Sequence, residues 1–256
     1  MRLSTYLLLI PGVLAFFVSS GCAVDNAFLA KLPLFEAKSD AIPGLQPPYE
    51  RLKQVELKGE KGAKASEAEK EIIVAQLMTE YRTSPDHNMR RASVDAMAKI
   101  PHRKRDEYMK EILNDADPMV RLSALQAVGQ SYNGSQDELT EIVMERMKRD
   151  PDKDVRLASI KLLGNLCDRS KKTKTRISEE TRNKAFAALG DTLYDKVPMA
   201  RALAMDSLHQ MTGKDYGKDI NKWIQHVQYV KGEKPEEPKE RTFAERIPRP
   251  QLPMLK

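Results

Sequence analysis

Three acids at alternating positions, Asp150, Asp152 and Asp154, stand where a calcium loop places its first three ligands. The glycine such a loop needs is Val155, and its closing glutamate place is Lys161, so these carboxylates suit helix starts better than a cation. The four histidines, His87, His102, His209 and His226, are scattered, and none sits in a His-Glu-x-x-His pattern or beside a cysteine. There is no Gly-x-Ser-x-Gly elbow and no glycine-rich phosphate loop ahead of Lys-Ser or Lys-Thr. The sequence thus offers no catalytic set, no metal set and no cofactor. Of the two cysteines, Cys167 ends an apolar stripe and reads as a small buried side chain, whereas Cys22 follows a run of small residues. The densest charge is Arg169-Ser-Lys-Lys-Thr-Lys-Thr-Arg176. There Arg169, Lys171, Lys172, Lys174 and Arg176 stand together without an acid, a pattern that attracts an anionic lipid, glycan or protein face. A solvated loop is the plainer reading of the same run.

The setting of Cys22 is that of an export signal. Arg2 supplies the positive start, and Tyr6–Val18 is apolar but for Pro11 and Gly12, too short to span a bilayer. Val18-Ser-Ser-Gly-Cys22 resembles the lipobox of bacterial lipoproteins, with Ser19 where that pattern usually has leucine. The resemblance implies a signal peptide over 1–21 and a Cys22 that carries a diacylglycerol and usually a third acyl chain such as palmitate. That is enough lipid for a stable membrane anchor. Ordinary secretory cleavage after Ala23 is the alternative. Residues 22–47, with Pro33, Pro43, Gly44 and Pro47, read as a flexible tether.

What must be positioned is a stretch written four times. Asp117-Pro-Met-Val-Arg-Leu-Ser-Ala-Leu-Gln-Ala-Val-Gly129 and Asp152-Lys-Asp-Val-Arg-Leu-Ala-Ser-Ile-Lys-Leu-Leu-Gly164 align on Arg121 and Arg156. Looser copies put Arg91 and Arg201 in the same place. Asp117 caps a helix start, Pro118 suits its first turn, and Val120, Ala124, Leu125 and Val128 recur at helical spacing. Each copy is preceded by another amphipathic segment, giving expected pairs 67–82 with 87–99, 103–114 with 118–130, 136–149 with 153–167 and 178–195 with 198–211. A short leading helix follows Pro48 and ends near Gly59 and Gly62. A last one carries Ile220, Trp223, Ile224 and Val227 as a terminal cap. One pair cannot bury its own apolar face, so pairs must stack. Helix pairs at intervals of 30 to 45 residues, with Asp-x-x-Val-Arg opening the second helix, resemble HEAT repeats over roughly 66–211. The resemblance implies an all-α, right-handed solenoid of about four pairs over 48–229. It also implies a structural ladder formed by Arg91, Asp117, Arg121, Asp152, Arg156 and Arg201.

The remainder, 230–256, mixes charge with five prolines and reads as a solvated disordered tail. Low aromatic content (6%) favours helices over sheets, and a net charge of +6 spread among many acids does not indicate a nucleic-acid partner. HEAT-repeat proteins are usually scaffolds, so the expectation is a non-catalytic, lipid-anchored, periplasm-facing protein of the bacterial envelope. It would hold protein partners on the concave face of the solenoid. Two alternatives stay open: an envelope component binding an anionic polymer or lipid through 169–176, and a repeat-built lyase or glycosylase. Export argues against the second. A soluble secreted form is the alternative to anchoring.

Overall fold

The computed structural model describes residues 47–130, 134–135, 137–168 and 175–242. They form ten helices: α1 (Pro48–Ala63), α2 (Glu67–Thr83), α3 (His87–Ala98), α4 (Arg103–Ile112), α5 (Pro118–Gly129), α6 (Asp137–Arg149), α7 (Lys153–Cys167), α8 (Glu179–Thr192), α9 (Pro198–Thr212) and α10 (Ile220–Val230). A two-residue parallel bridge joins Gly134–Ser135 to Thr175–Arg176. Among the described residues, no helix is long and apolar enough to cross a membrane.

Helix starts fall where the sequence supplies oxygen acceptors. Ser66 forms a capping box with Glu69: its N–H donates to Glu69 Oε2 at 3.0 Å while its hydroxyl accepts the Glu69 N–H. Asp86, Asp117, Asp152 and Asp219 each accept a backbone N–H two residues on. Pro118 and Pro198 occupy first helical positions, where a missing N–H costs nothing.

Packing follows a two-layer order. Helices α1, α3, α5, α7 and α9 contact one another in succession and form one layer; α2, α4, α6, α8 and α10 form the other. Each of α2, α4, α6 and α8 also packs on the helix that follows it. This is an all-α solenoid. Its core is a continuous seam of side chains with no exposure, among them Leu77, Val94, Ile112, Val143, Leu163 and Leu208. Burying each such leucine, isoleucine or valine stabilises the fold by roughly 1.5–3 kcal/mol.

Two segments depart from the sequence expectation. First, α1 does not stop at Gly59 and Gly62 but runs through both to Ala63. The glycines admit α3: a Cβ on Gly59 would lie 2.8 Å from Ala96 Cα, closer than carbon atoms pack. Helix α1 is therefore a full member of the α3 layer. Second, residues 231–242, part of the segment 230–256 expected to be a solvated disordered tail, turn back onto the loop before α10, while 243–256 lie outside the described residues. Arg241 donates its N–H to the Asp215 carbonyl at 2.9 Å and its Nη2 to Asp215 Oδ1 at 2.6 Å. Lys214 Nζ lies 3.0 Å from Glu237 and 3.3 Å from Glu240. Composition alone suggests solvation here, but the charges of this segment meet opposite charges on the loop before α10.

Candidate functional site

The arginines of the repeat form a ladder, shifted from the expected residues. Arg121, 4% exposed, sends Nε and Nη2 to the two oxygens of Asp150 at 2.8 and 2.7 Å. Its Nη1 donates to the carbonyls of Asp115 and Ala116. Arg90 makes the same bidentate contact with Asp115, at 2.9 and 3.1 Å, and donates to the carbonyl of Pro85 at 3.0 Å. Arg156 and Arg201 each hold the two carbonyls five and six residues back. Arg91, expected in the ladder, instead sits one step round α3, exposed and 3.7 Å from Asp95. A one-residue slip turns a side chain by about 100° on a helix. Among the described residues, the hydrogen bonds that the Asp117 and Asp152 side chains accept are those of helix caps. The acids that cross between pairs are Asp115 and Asp150, each of which also accepts the N–H of the cap two residues on. Burial raises the Asp115 carboxyl, but Arg90, the Asp117 N–H and the Tyr81 hydroxyl outweigh it and hold it below the ordinary value.

One layer carries a groove. It crosses α3, α5 and α7, encloses about 370 Å³, and is lined by Met119, Leu122, Gln126 and Leu162, with Arg91 and Lys161 as its basic members. Met119 is 44% exposed, large for an apolar side chain. Helical spacing explains the arrangement: Met119, Leu122 and Gln126 recur at three and four residues on α5 and share a face.

A second cluster sits at the end of the chain. Trp223 is buried, stacks edge-on against Tyr216 at 4.9 Å and donates Nε1–H to the Gly217 carbonyl. His226 is buried beside them, its Nδ1 3.2 Å from Glu237 and 3.3 Å from the Tyr216 hydroxyl; among the described residues its Nε2 has no hydrogen-bond partner. Burial lowers the His226 imidazole, and Glu237 opposes that shift. Trp223 was expected from the sequence as part of a terminal cap; Tyr216 and His226 were not. Glu237 was not, since nothing in a proline- and charge-rich stretch marks one acid as the partner of a histidine eleven positions earlier in α10.

Among the described residues, no group of three or more histidine, cysteine or carboxylate side chains is placed to hold a metal. Cys22, Arg169, Lys171, Lys172 and Lys174 lie outside the described residues, and Arg176 is described only as the backbone of the short bridge. Cys167 is free and buried, and burial pushes its thiol up to about 11, against the opposing charge of Arg182. A thiol held so far from ionisation is a poor nucleophile at neutral pH.

Residues 74–164, from α2 to α7, match a family model described as HEAT repeats. No curated protein matches the chain.

Proposed function

We propose that the chain is a HEAT-repeat scaffold of the bacterial cell envelope, non-catalytic, anchored to a membrane through a lipidated Cys22. It binds a protein partner along the α3–α5–α7 layer. The observation that carries this reading is the groove across those three helices, with its exposed Met119, its Leu122 floor and its basic Arg91 and Lys161. A flexible thioether beside aliphatic side chains and cationic ends is chemistry that accepts an amphipathic, acidic protein segment. HEAT repeats usually serve as protein-interaction scaffolds, and the match over 74–164 covers α3, α5 and α7 as far as Gly164.

A photo-crosslinking residue placed at Gln126 tests this in intact membranes, with the same residue at Glu145 on α6 as the control. A discrete adduct with one protein from Gln126, absent from Glu145, is expected. Equal adducts from both positions, or none from Gln126, would overturn the reading. Anchoring is tested separately: labelled palmitate should enter the wild-type chain and be lost in Cys22→Ser, and label that persists excludes lipidation at that residue.

A further inference from the structure

The ladder changes character between its second and third arginine positions. At Arg90 and Arg121 the outer fork of the guanidinium, Nε and Nη2, closes on both oxygens of an aspartate from the next helix pair. At Arg156 the inner nitrogen behaves as in the others, donating to the carbonyls of Asp150 at 2.7 Å and Pro151 at 3.1 Å. The aspartate equivalent to Asp115 and Asp150 is Asp195, which accepts the Val197 N–H at 2.7 Å. Yet no hydrogen bond or ion pair among the described residues joins Asp195, or any other carboxylate, to the Arg156 fork. Arg156 and Asp195 both line a pocket of about 290 Å³.

The lining of that pocket completes a binding site. Lys148 and Lys153 stand beside Arg156, and neither is in an ion pair among the described residues. The two acids on the wall are engaged, Asp195 by its cap bond and Asp191 by Lys231 at 3.7 Å. Leu157 and Val197 give the pocket an apolar side, and Tyr194 at its rim is 65% exposed. A space of this size holds one or two side chains.

We infer that the Arg156 pocket is a carboxylate-binding site that takes an acidic side chain, with an apolar neighbour, from a partner polypeptide. The fork presents the geometry that this same chain uses twice to hold aspartate, and planar bidentate pairing suits a carboxylate better than a point anion. Asp191 and Asp195 on the wall disfavour a dianion such as phosphate. This site lies between the third and fourth pairs and does not depend on the groove across α3, α5 and α7.

The test uses the full chain with its arginine Nε nitrogens labelled, and the Arg156 side-chain resonance assigned by its loss in Arg156→Lys. The probes are the capped peptides acetyl-Leu-Asp-Leu-amide and acetyl-Leu-Asn-Leu-amide, with inorganic phosphate as competitor. The aspartate peptide should shift the Arg156 Nε–H resonance saturably, and the asparagine peptide should not. Lys148→Ala with Lys153→Ala, which touches none of the Arg156 carbonyl bonds, should weaken the response about tenfold. Four results would each overturn the proposal: equal responses to both peptides; no response at Arg156; phosphate competing as well as the aspartate peptide; or an Arg156 resonance moved by Asp195→Asn in the free protein, which would show an internal ion pair.

Discussion

Removing Arg121 should be the most damaging single change in the ladder. Arg121→Ala deletes four donated hydrogen bonds and leaves Asp150, whose side chain has no exposure, with the Asp152 N–H at 3.0 Å and Arg146 no nearer than 3.6 Å. Breaking a buried ion pair by removing one partner costs about 3–5 kcal/mol, because a buried charge stays behind. Arg90→Ala should cost less, about 2–3 kcal/mol. Its acid, Asp115, keeps the Tyr81 hydroxyl at 2.8 Å and the Asp117 N–H at 2.8 Å. Arg156→Ala loses only bonds to two carbonyls that border solvent and should cost about 1 kcal/mol. The assay is urea unfolding of the three variants against the parent chain, with the midpoint and slope read separately. The double variant Arg121→Met with Asp150→Leu supplies the control, since it removes both charges and should recover most of the loss. Equal cost for Arg156→Ala and Arg121→Ala, or no recovery in the double variant, would refute the idea that these arginines act by meeting a buried acid.

Three further outcomes follow from the packing and the titrating groups. Gly59→Ala improves helix propensity by about 1 kcal/mol in an exposed helix. Here its Cβ would press on the Ala96 backbone, so proteolysis near α1 should quicken; unchanged or slower cleavage would count against the close approach. Cys167 should resist a thiol reagent in the folded chain and react at the unfolding rate, and prompt labelling under native conditions would contradict its burial. His226 has Glu237, Glu240, Lys214 and Tyr216 around it, and its folded value lies below the ordinary 6.5. The unfolded chain then binds a proton that the folded chain does not, so this contribution to stability is present above about pH 6.5 and lost as pH falls below it. His226→Gln should flatten the slope of stability just below pH 6.5, and an unaltered slope would remove His226 as its source.

Much of the fold was legible because its helix starts carry their own markers. Ser66, Asp117, Asp152 and Ser178 are side chains whose chemistry serves a helix start, and each does so in the structure. The ladder was legible in kind but not in register. Asp86 stands four residues before Arg90, as Asp117 stands before Arg121, and this spacing was the signal that separates Arg90 from Arg91. Which of two nearby aspartates caps and which crosses to a neighbour could not be read, since Asp115 and Asp117 have identical side chains and differ only in where the backbone aims them. The glycines of α1 misled for a similar reason: a residue without a side chain marks both a chain break and a tight crossing, and only the partner decides. The Arg156 pocket was invisible in the sequence, because Asp195 occupies the expected position and departs only in what it reaches.

The ladder also makes successive modules exchangeable. Asp115 and Asp150 play one role in two places, each serving an arginine from the module before and bonding the cap after it. Excising residues 116–150 would join Asp115 directly to Pro151 and deliver the acid that Arg90 already holds to the start of α7. Among the described residues the solenoid runs from α1 in one layer to α10 in the other, so such a shortened version would keep both of these end helices. Gene-level duplication or loss of a single module can thus alter the length of this protein while leaving every junction chemically familiar.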